Sequence, residues 1–302
     1  RDSGYSTWNA KEVLLSATSQ NDIINVAMGL GVGAGGTAGV DVEGNVAVNN
    51  IKNDTLVDVA GASITAAQNL GVLANSREHL ENYGGALSVG AAGTTGVGVG
   101  ATVVVNTISG NTSADVNNSN LNAAGSEDAN SGIDVYEYTV NSDGTVSASS
   151  AKVKGLVVAA DSKHEIDNVT VTSSIGGSGV AAVGVDATVD VNEISGVTNA
   201  NVLNTNINKD FNNVGDVLVL AHDNVDISAD VISVAVAGSG EASVGVLGVA
   251  GTNIVSRQTN AVINGNTASN ISNQKELNAD DVKVYALGER RLRESVTGVE
   301  VA

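Results

Sequence analysis

The sequence contains no proline and no cysteine, and aromatic residues fill only 2% of its 302 positions. Without cysteine there is no disulfide and no thiolate metal centre. Ordinary usage of about 5% would place roughly fifteen prolines in such a chain. Their exclusion fits buried strands, in which each amide must donate to a neighbour. The shortage of aromatics rules out a core built on large rings. Positive charge is scarce as well: 14 Lys and Arg against 33 Asp and Glu leave a net charge of -19. Nucleic acid and anionic membrane surfaces are therefore poor partners, because phosphate binding needs clustered cations. The one dense basic cluster, Arg290, Arg291 and Arg293, reads as a solvated edge.

What remains is Val, Ala, Leu and Ile beside 36 Gly and 35 Asn, an inventory of small and β-branched side chains with weak helix preference. The uncharged stretch from Ala86 to Val105 has the length of a membrane helix, but its glycine spacing and alternating valines suit extended chain. The chain begins Arg1-Asp2-Ser3 and ends in mid-unit at Val299 to Ala302. It is expected to be a piece of a longer protein, since uncovered end strands pair with other chains.

Self-similarity organises the sequence. An alanine closes a short apolar run at Ala17, Ala74, Ala160, Ala221 and Ala286, at intervals of 57, 86, 61 and 65 residues. Nineteen positions after the first four stand Gly36, Gly93, Gly179 and Gly240, followed by paired valines such as Val97 and Val99. An asparagine closes each valine run, at Asn49, Asn106, Asn192 and Asn253. The tail reads N-x-[IV]-x-x-x-T-x-[AV]-x-[VI], as in Asn192, Ile194, Thr198, Ala200 and Val202. Spacing within each unit is two, the period of a strand.

These features predict an all-β parallel β-helix solenoid in the usual right-handed sense, forming one domain over 1–302 with repeats at about 11–68, 69–124, 154–214, 215–279 and a partial 280–302. Divided into coils of about 19 residues, each repeat of 57–65 residues would supply about three rungs. Some fourteen to sixteen rungs would then make a rod on the order of 70 Å long. Val48 and Ile51 stand three apart, which places a corner between them, and the recurring asparagine there predicts an amide ladder along the axis. The valines are expected inside, glycines at positive-φ corners, and Asp41, Asp58, Asp115, Asp167, Asp186 and Asp190 outside.

The second interval exceeds the first by 29 residues, and the surplus lies at 125–152. There two alternating runs, Val135 to Val140 and Thr145 to Ala148, flank a turn ending Asp143-Gly144, which predicts a β-hairpin insertion. Tyr136 and Tyr138 alternate in it and would form one aromatic face, the candidate surface for a binding partner.

Other chemistry is not supported. The string Gly31 to Gly36 matches a dinucleotide-loop spacing, but no helical pattern follows it. His79, His164 and His222 fall at different distances from their register alanines, so they cannot share a column, and each reads as a surface imidazole. No calcium-repeat signature, catalytic carboxylate pair or nucleophile elbow stands out. No catalytic residue, metal site or cofactor is expected, and the reading is non-enzymatic.

The cadence from Val97 through Asn106 to Ile108, followed by Thr112 and Ala114, resembles the repeats of very large bacterial exoproteins: haemagglutinin-like and leukotoxin-like adhesins and autotransporter passengers. The likeness covers nearly all of the chain except the insertion and about ten N-terminal residues. It implies an extracellular segment displayed on a bacterial cell, continuing into further β-helix and carried out by an outer-membrane translocator absent from this chain. It supplies no catalytic residues. The resulting expectation is a rigid adhesin stalk that attaches to a protein or glycan receptor on host or bacterial cells. The alternatives are a secreted cytotoxin acting on host membranes and, less favoured, a polysaccharide-active enzyme.

Overall fold

A computed structural model describes residues 6–126, 128, 131–143, 145–209, 211, 214–265 and 275–302. The molecule is all-β, with long parallel strands stacked as a parallel β-helix. One long sheet is formed by β2 (Val13–Gly35), β6 (Leu70–Ala92), β11 (Gly155–Ser178), β14 (Asp216–Gly238) and β16 (Val282–Val301). Facing it is a second, formed by β3 (Ala38–Lys52) with its continuation β4 (Thr55–Ala60), β7 (Thr95–Asn117), β12 (Ala181–Leu203) and β15 (Ala242–Asn264). A narrow third sheet closes each coil with β1 (Ser6–Ala10), β5 (Ala62–Ala66), β8 (Asn120–Ala123) and β13 (Asn206–Ile207). The insertion is the antiparallel pair β9 (Ile133–Val140) and β10 (Val146–Val153).

The register alanines form a single column, Ala17 beside Ala74, then Ala160, Ala221 and Ala286. One repeat therefore makes one circuit, and the expected three rungs per repeat are overturned. A strand of 23 residues does not fit inside a coil of about 19. The molecule is correspondingly short along its axis and wide across it. Five stacked strands cover ~24 Å, while one 23-residue strand extends ~76 Å.

The source of the misreading is a change of face within a straight strand. Val48 points outward and Asn49 and Ile51 point inward, all within β3, so the three-residue spacing marks no corner. In the half of each coil next to the third sheet, apolar residues point inward as expected. Leu70, Val72, Ala74, Ile64, Val116 and Leu121 fill that core. A row of Leu80, Ile166 and Ile227 meets Ile51, Ile108 and Ile194 just beyond it. Next come two rows of asparagine. Asn49, Asn106, Asn192 and Asn253 are joined by amide hydrogen bonds of 2.8, 2.8 and 3.0 Å, which is the expected ladder. Opposite them Asn25, Asn82 and Asn168 form a second ladder, tied to the first by Asn25 and Asn49.

Past the asparagines the pattern inverts. Valines such as Val42, Val46, Val103 and Val189 face outward, while Thr102, Ser88, Asp186 and Asp190 are buried. Asp41 also turns inward and accepts a hydrogen bond from the Ser88 hydroxyl at 2.6 Å. Three of the six acids expected outside are thus inside, and only Asp58, Asp115 and Asp167 keep the outward alternation.

This half tapers to the arch joining the two long sheets, where only glycine allows the approach. Gly36, Gly93, Gly179 and Gly240 stack at the tip, with amide-to-carbonyl distances of 3.1, 3.2 and 3.3 Å. A Cβ on Gly93 would lie 2.5 Å from the Gly36 carbonyl oxygen. Glycine here answers close stacking. Positive φ is used instead at the corner into the third sheet, by Gly61, Asn118 and Asn204 at 61°, 49° and 50°.

Candidate functional site

The hairpin leaves the solenoid after β8 through Gly125 (φ 78°) and returns at Gly155 (φ 135°), whose amide donates to Asn69 Oδ1 at 3.0 Å. Its strands pair from Ile133 with Val153 to Val140 with Val146. Residues 127, 129, 130 and 144 of the insertion, including the glycine of the expected Asp-Gly turn, lie outside the described residues. In the turn, the Asn141 amide donates to the Thr145 carbonyl at 2.7 Å. Asp143 accepts from the Thr145 hydroxyl and amide, which holds its carboxyl below the usual range.

Why the hairpin docks where it does follows from the first long sheet. At its end near the third sheet, the outward positions are Leu73, Val157, Ala159, Leu218 and Leu220, too apolar to leave in water. Val135 and Val153 bury themselves against this patch, with Ile133, Ala151 and Tyr138 alongside. The Lys283 ammonium, 2.8 Å from Glu137, ties the hairpin to the last coil.

Tyr138 stacks on His222, ring centroids 4.0 Å apart at 20°. His222 Nδ1 lies 2.7 Å from Asp161 and Nε2 lies 2.9 Å from Glu289. Burial opposes charge on this imidazole, but the hydrogen bonds and charges of the two carboxylates outweigh it, and its pKa rises above the ordinary value. Burial, then the charges of Asp161 and Glu289, push the Tyr138 phenol upward, so it stays protonated and able to donate.

Between the hairpin and the sheet an open cleft of about 380 Å³ remains, lined on one side by Tyr136 and Tyr138 and on the other by Asn75, Arg77, Asp161 and Lys163. The structure therefore brings the two tyrosines to one recess, Tyr136 half exposed and Tyr138 held by its histidine. Aromatic walls beside fixed donors and acceptors suit a polar ligand with an apolar face.

The histidines differ from their expected surface placement. His222 is 6% and His164 2% exposed, and His164 points into the interior with both ring nitrogens unpartnered. They do fall in separate columns, as the spacing requires. His222 is on the outer face but covered by the hairpin, whereas His79 lies on that face uncovered, 3.2 Å from Asp22 and 3.4 Å from Asp167. With Glu165 and Asp167 it offers three ligand atoms within 4.8 Å of one another, a grouping the sequence reading missed. Its signal was present: Asp22, His79 and Glu165 each stand five residues after a register alanine. The Arg290 of the expected solvated cluster turns inward instead, its guanidinium 2.8 Å from the buried Asp223.

Comparison with known proteins gives no matching family model, no matching curated protein and no matching solved structure.

Proposed function

We propose that this chain is a segment of a secreted bacterial surface protein, in which the solenoid is a stiff scaffold and the hairpin cleft contacts a receptor on host or bacterial cells. The observation that carries the reading is the seating of Tyr136 and Tyr138 over Arg77 and Lys163 in a preformed recess. Tyr138 is anchored on His222 and Tyr136 is carried on the same docked strand, so little backbone ordering entropy is lost on binding. A glycan ring or a peptide side chain that stacks on Tyr136 while accepting from Arg77 fits this chemistry. The scaffold below it is continuous hydrogen-bonded ladder, which resists bending and holds the cleft at a fixed height above the sheet.

The test is attachment of the purified chain to cells, compared with Tyr136→Ser and Arg77→Ala variants. Both side chains line the cleft without filling the core, so the fold survives their loss. At least a ten-fold loss of attachment in each is expected. Unchanged attachment in both overturns the assignment. Removing residues 125–152 is a poorer test, because it uncovers Leu73, Leu218 and Leu220 and creates a new sticky surface.

A further inference from the structure

A second apolar exterior has no cover among the described residues. Near the arch, the outer face of the second long sheet carries Val97, Val99, Ala101, Val103 and Val105 in one coil. The same pattern recurs in neighbouring strands, so that Val40, Val97, Val183 and Val244 form a row along the axis. The middle row is small throughout: Gly44, Ala101, Ala187 and Gly248. Two ridges on each side, valine throughout except Ala250 and Thr252 in β15, thus border a shallow groove. From Ala38 to Val48 and in the aligned stretches of the other coils, no outward position of this face is charged.

The contrast with the first long sheet is informative. There the outward patch of Leu73, Leu218 and Leu220 is sheltered by the hairpin, while the arch half leaves Val26, Met28, Leu30 and Val171 exposed and is broken by the charge of Asp230. On the second sheet none of the described elements lies over the valines, and Val42, Val46 and Val48 are each about 70% exposed. Soluble chains rarely leave such a patch uncovered.

We propose that this face is a docking surface for a second copy of the chain, two slabs meeting valine face to valine face about a dyad. Three features select that occupant. The face is uncharged, so a copy of itself brings no like-charge repulsion. Its ridges and central groove are self-complementary, and stacked sheets of this kind pack ~10 Å apart with side chains interdigitated. Four strands wide and about eleven residues long, it measures ~19 by ~36 Å. Pairing two copies would bury roughly 1,400 Å² in total, within the range of stable specific interfaces. A lipid bilayer fits less well. Immersed in hydrocarbon, the edge strands β3 and β15 would leave a row of ladder groups without partners, whereas in a face-to-face pair those edges stay in water. The inference is independent of the hairpin cleft, which lies on the other long sheet.

Sedimentation equilibrium on the purified chain from about 1 to about 100 µM tests it. The expected result is a mass rising to twice that of the chain. The double variant V99K/V185K places charge on outward positions that a folded monomer tolerates, and it should remain a single chain with an unchanged circular dichroism spectrum. V99T/V185T, which keeps shape and strand preference, should need at least ten-fold higher concentration to associate. V171K/V234K, on the outer face of the first sheet, should leave the dimer intact. A chain that stays monomeric throughout overturns the proposal. So does a dimer that survives V99K/V185K, or one lost only in V171K/V234K. Capture of a monomeric chain by phosphatidylcholine vesicles, abolished by V99K/V185K, overturns it in favour of lipid.

Discussion

Val103 and Val104 are adjacent in β7 and chemically identical, yet the first is 37% exposed and the second is fully buried. The pleat sends them to opposite faces. What is unusual is that both faces at this height carry valine. Just beyond, towards the arch, the interior is given to Thr102, Asp186 and Ser88 and the exterior to hydrocarbon.

The chain has no cysteine, so one introduced thiol reports its position without ambiguity. Val103→Cys is expected to react with a maleimide in the native, dilute protein at least a hundred-fold faster than Val104→Cys, whose thiol is reached only by opening of the coil. Equal rates would mean that the strand does not hold this phase.

How much of this could be read from residues alone depended on which physical constraint each feature reports. Stacking demands equal spacing, so the columns through Ala17, Ala74 and Ala160 were legible, and so was the 29-residue surplus of the hairpin. The asparagine ladder followed from the same registration. The inside and outside of the arch half did not, because a period of two fixes alternation without saying which phase is buried. Hydrophobicity normally decides that question, and here it decides wrongly between Gly29 and Val48. The rung count failed with it, since the change of face at Asn49 imitates a corner. Tyr136 and Tyr138 were identified as a pair, but the stacking of Tyr138 on His222 joins residues from different repeats and leaves no local trace.

Arch glycines should be intolerant for a reason that differs from the usual one. On Gly93 a methyl group would meet the Gly36 carbonyl at 2.5 Å, and the stacked backbone has no room to move aside. Gly44, on the outer face, has no atom within 4 Å of such a methyl. Gly93→Ala is expected to destabilise by about 2 kcal/mol, and Gly44→Ala to be neutral or stabilising by about 0.5 kcal/mol. Urea unfolding midpoints of the two variants check this, and a Gly93→Ala protein as stable as the parent contradicts the close stacking.

The buried ion pair offers a test by analogy within the chain. Arg257 Nε lies 2.9 Å from Asp223 Oδ1, neither side chain reaches solvent, and the guanidinium also donates to the carbonyls of Gly110 and Ser195. In the preceding coil the same two columns hold Ser162 and Gly196. Arg257→Gly alone removes the fully buried one of the two guanidinium partners of this carboxylate, leaving Arg290 at 2.8 Å, and should cost about 3 kcal/mol. The double variant Asp223→Ser/Arg257→Gly gives these two columns the residues of the preceding coil, leaves the partly exposed Arg290 to turn to solvent, and should recover about 2 kcal/mol or more of that loss. Additive losses in a double-mutant cycle would show that the two groups do not depend on one another.

His164 and His222 should pull stability in opposite directions with pH. Burial first, and then the Arg257 charge, hold the His164 pKa down at about 3, against an ordinary unfolded value of about 6.5. A depressed folded value means that its stabilisation is complete above about pH 6.5 and is lost as pH falls towards 3, by a total on the order of 4 kcal/mol. The folded pKa of His222 is raised, so its contribution is complete below about pH 6.5 and fades as pH climbs through the raised value. In the next coil the column of His164 holds Val225, which makes His164→Val the natural replacement. That variant should flatten the fall in unfolding free energy between pH 6.5 and 4. His222→Gln should instead remove support below neutrality and loosen the hairpin, read as faster amide exchange at Val135 and Tyr138. Titration of the two imidazoles by NMR checks the assignment directly. A His164 ring that protonates near pH 6.5 in the native protein is incompatible with its inward placement.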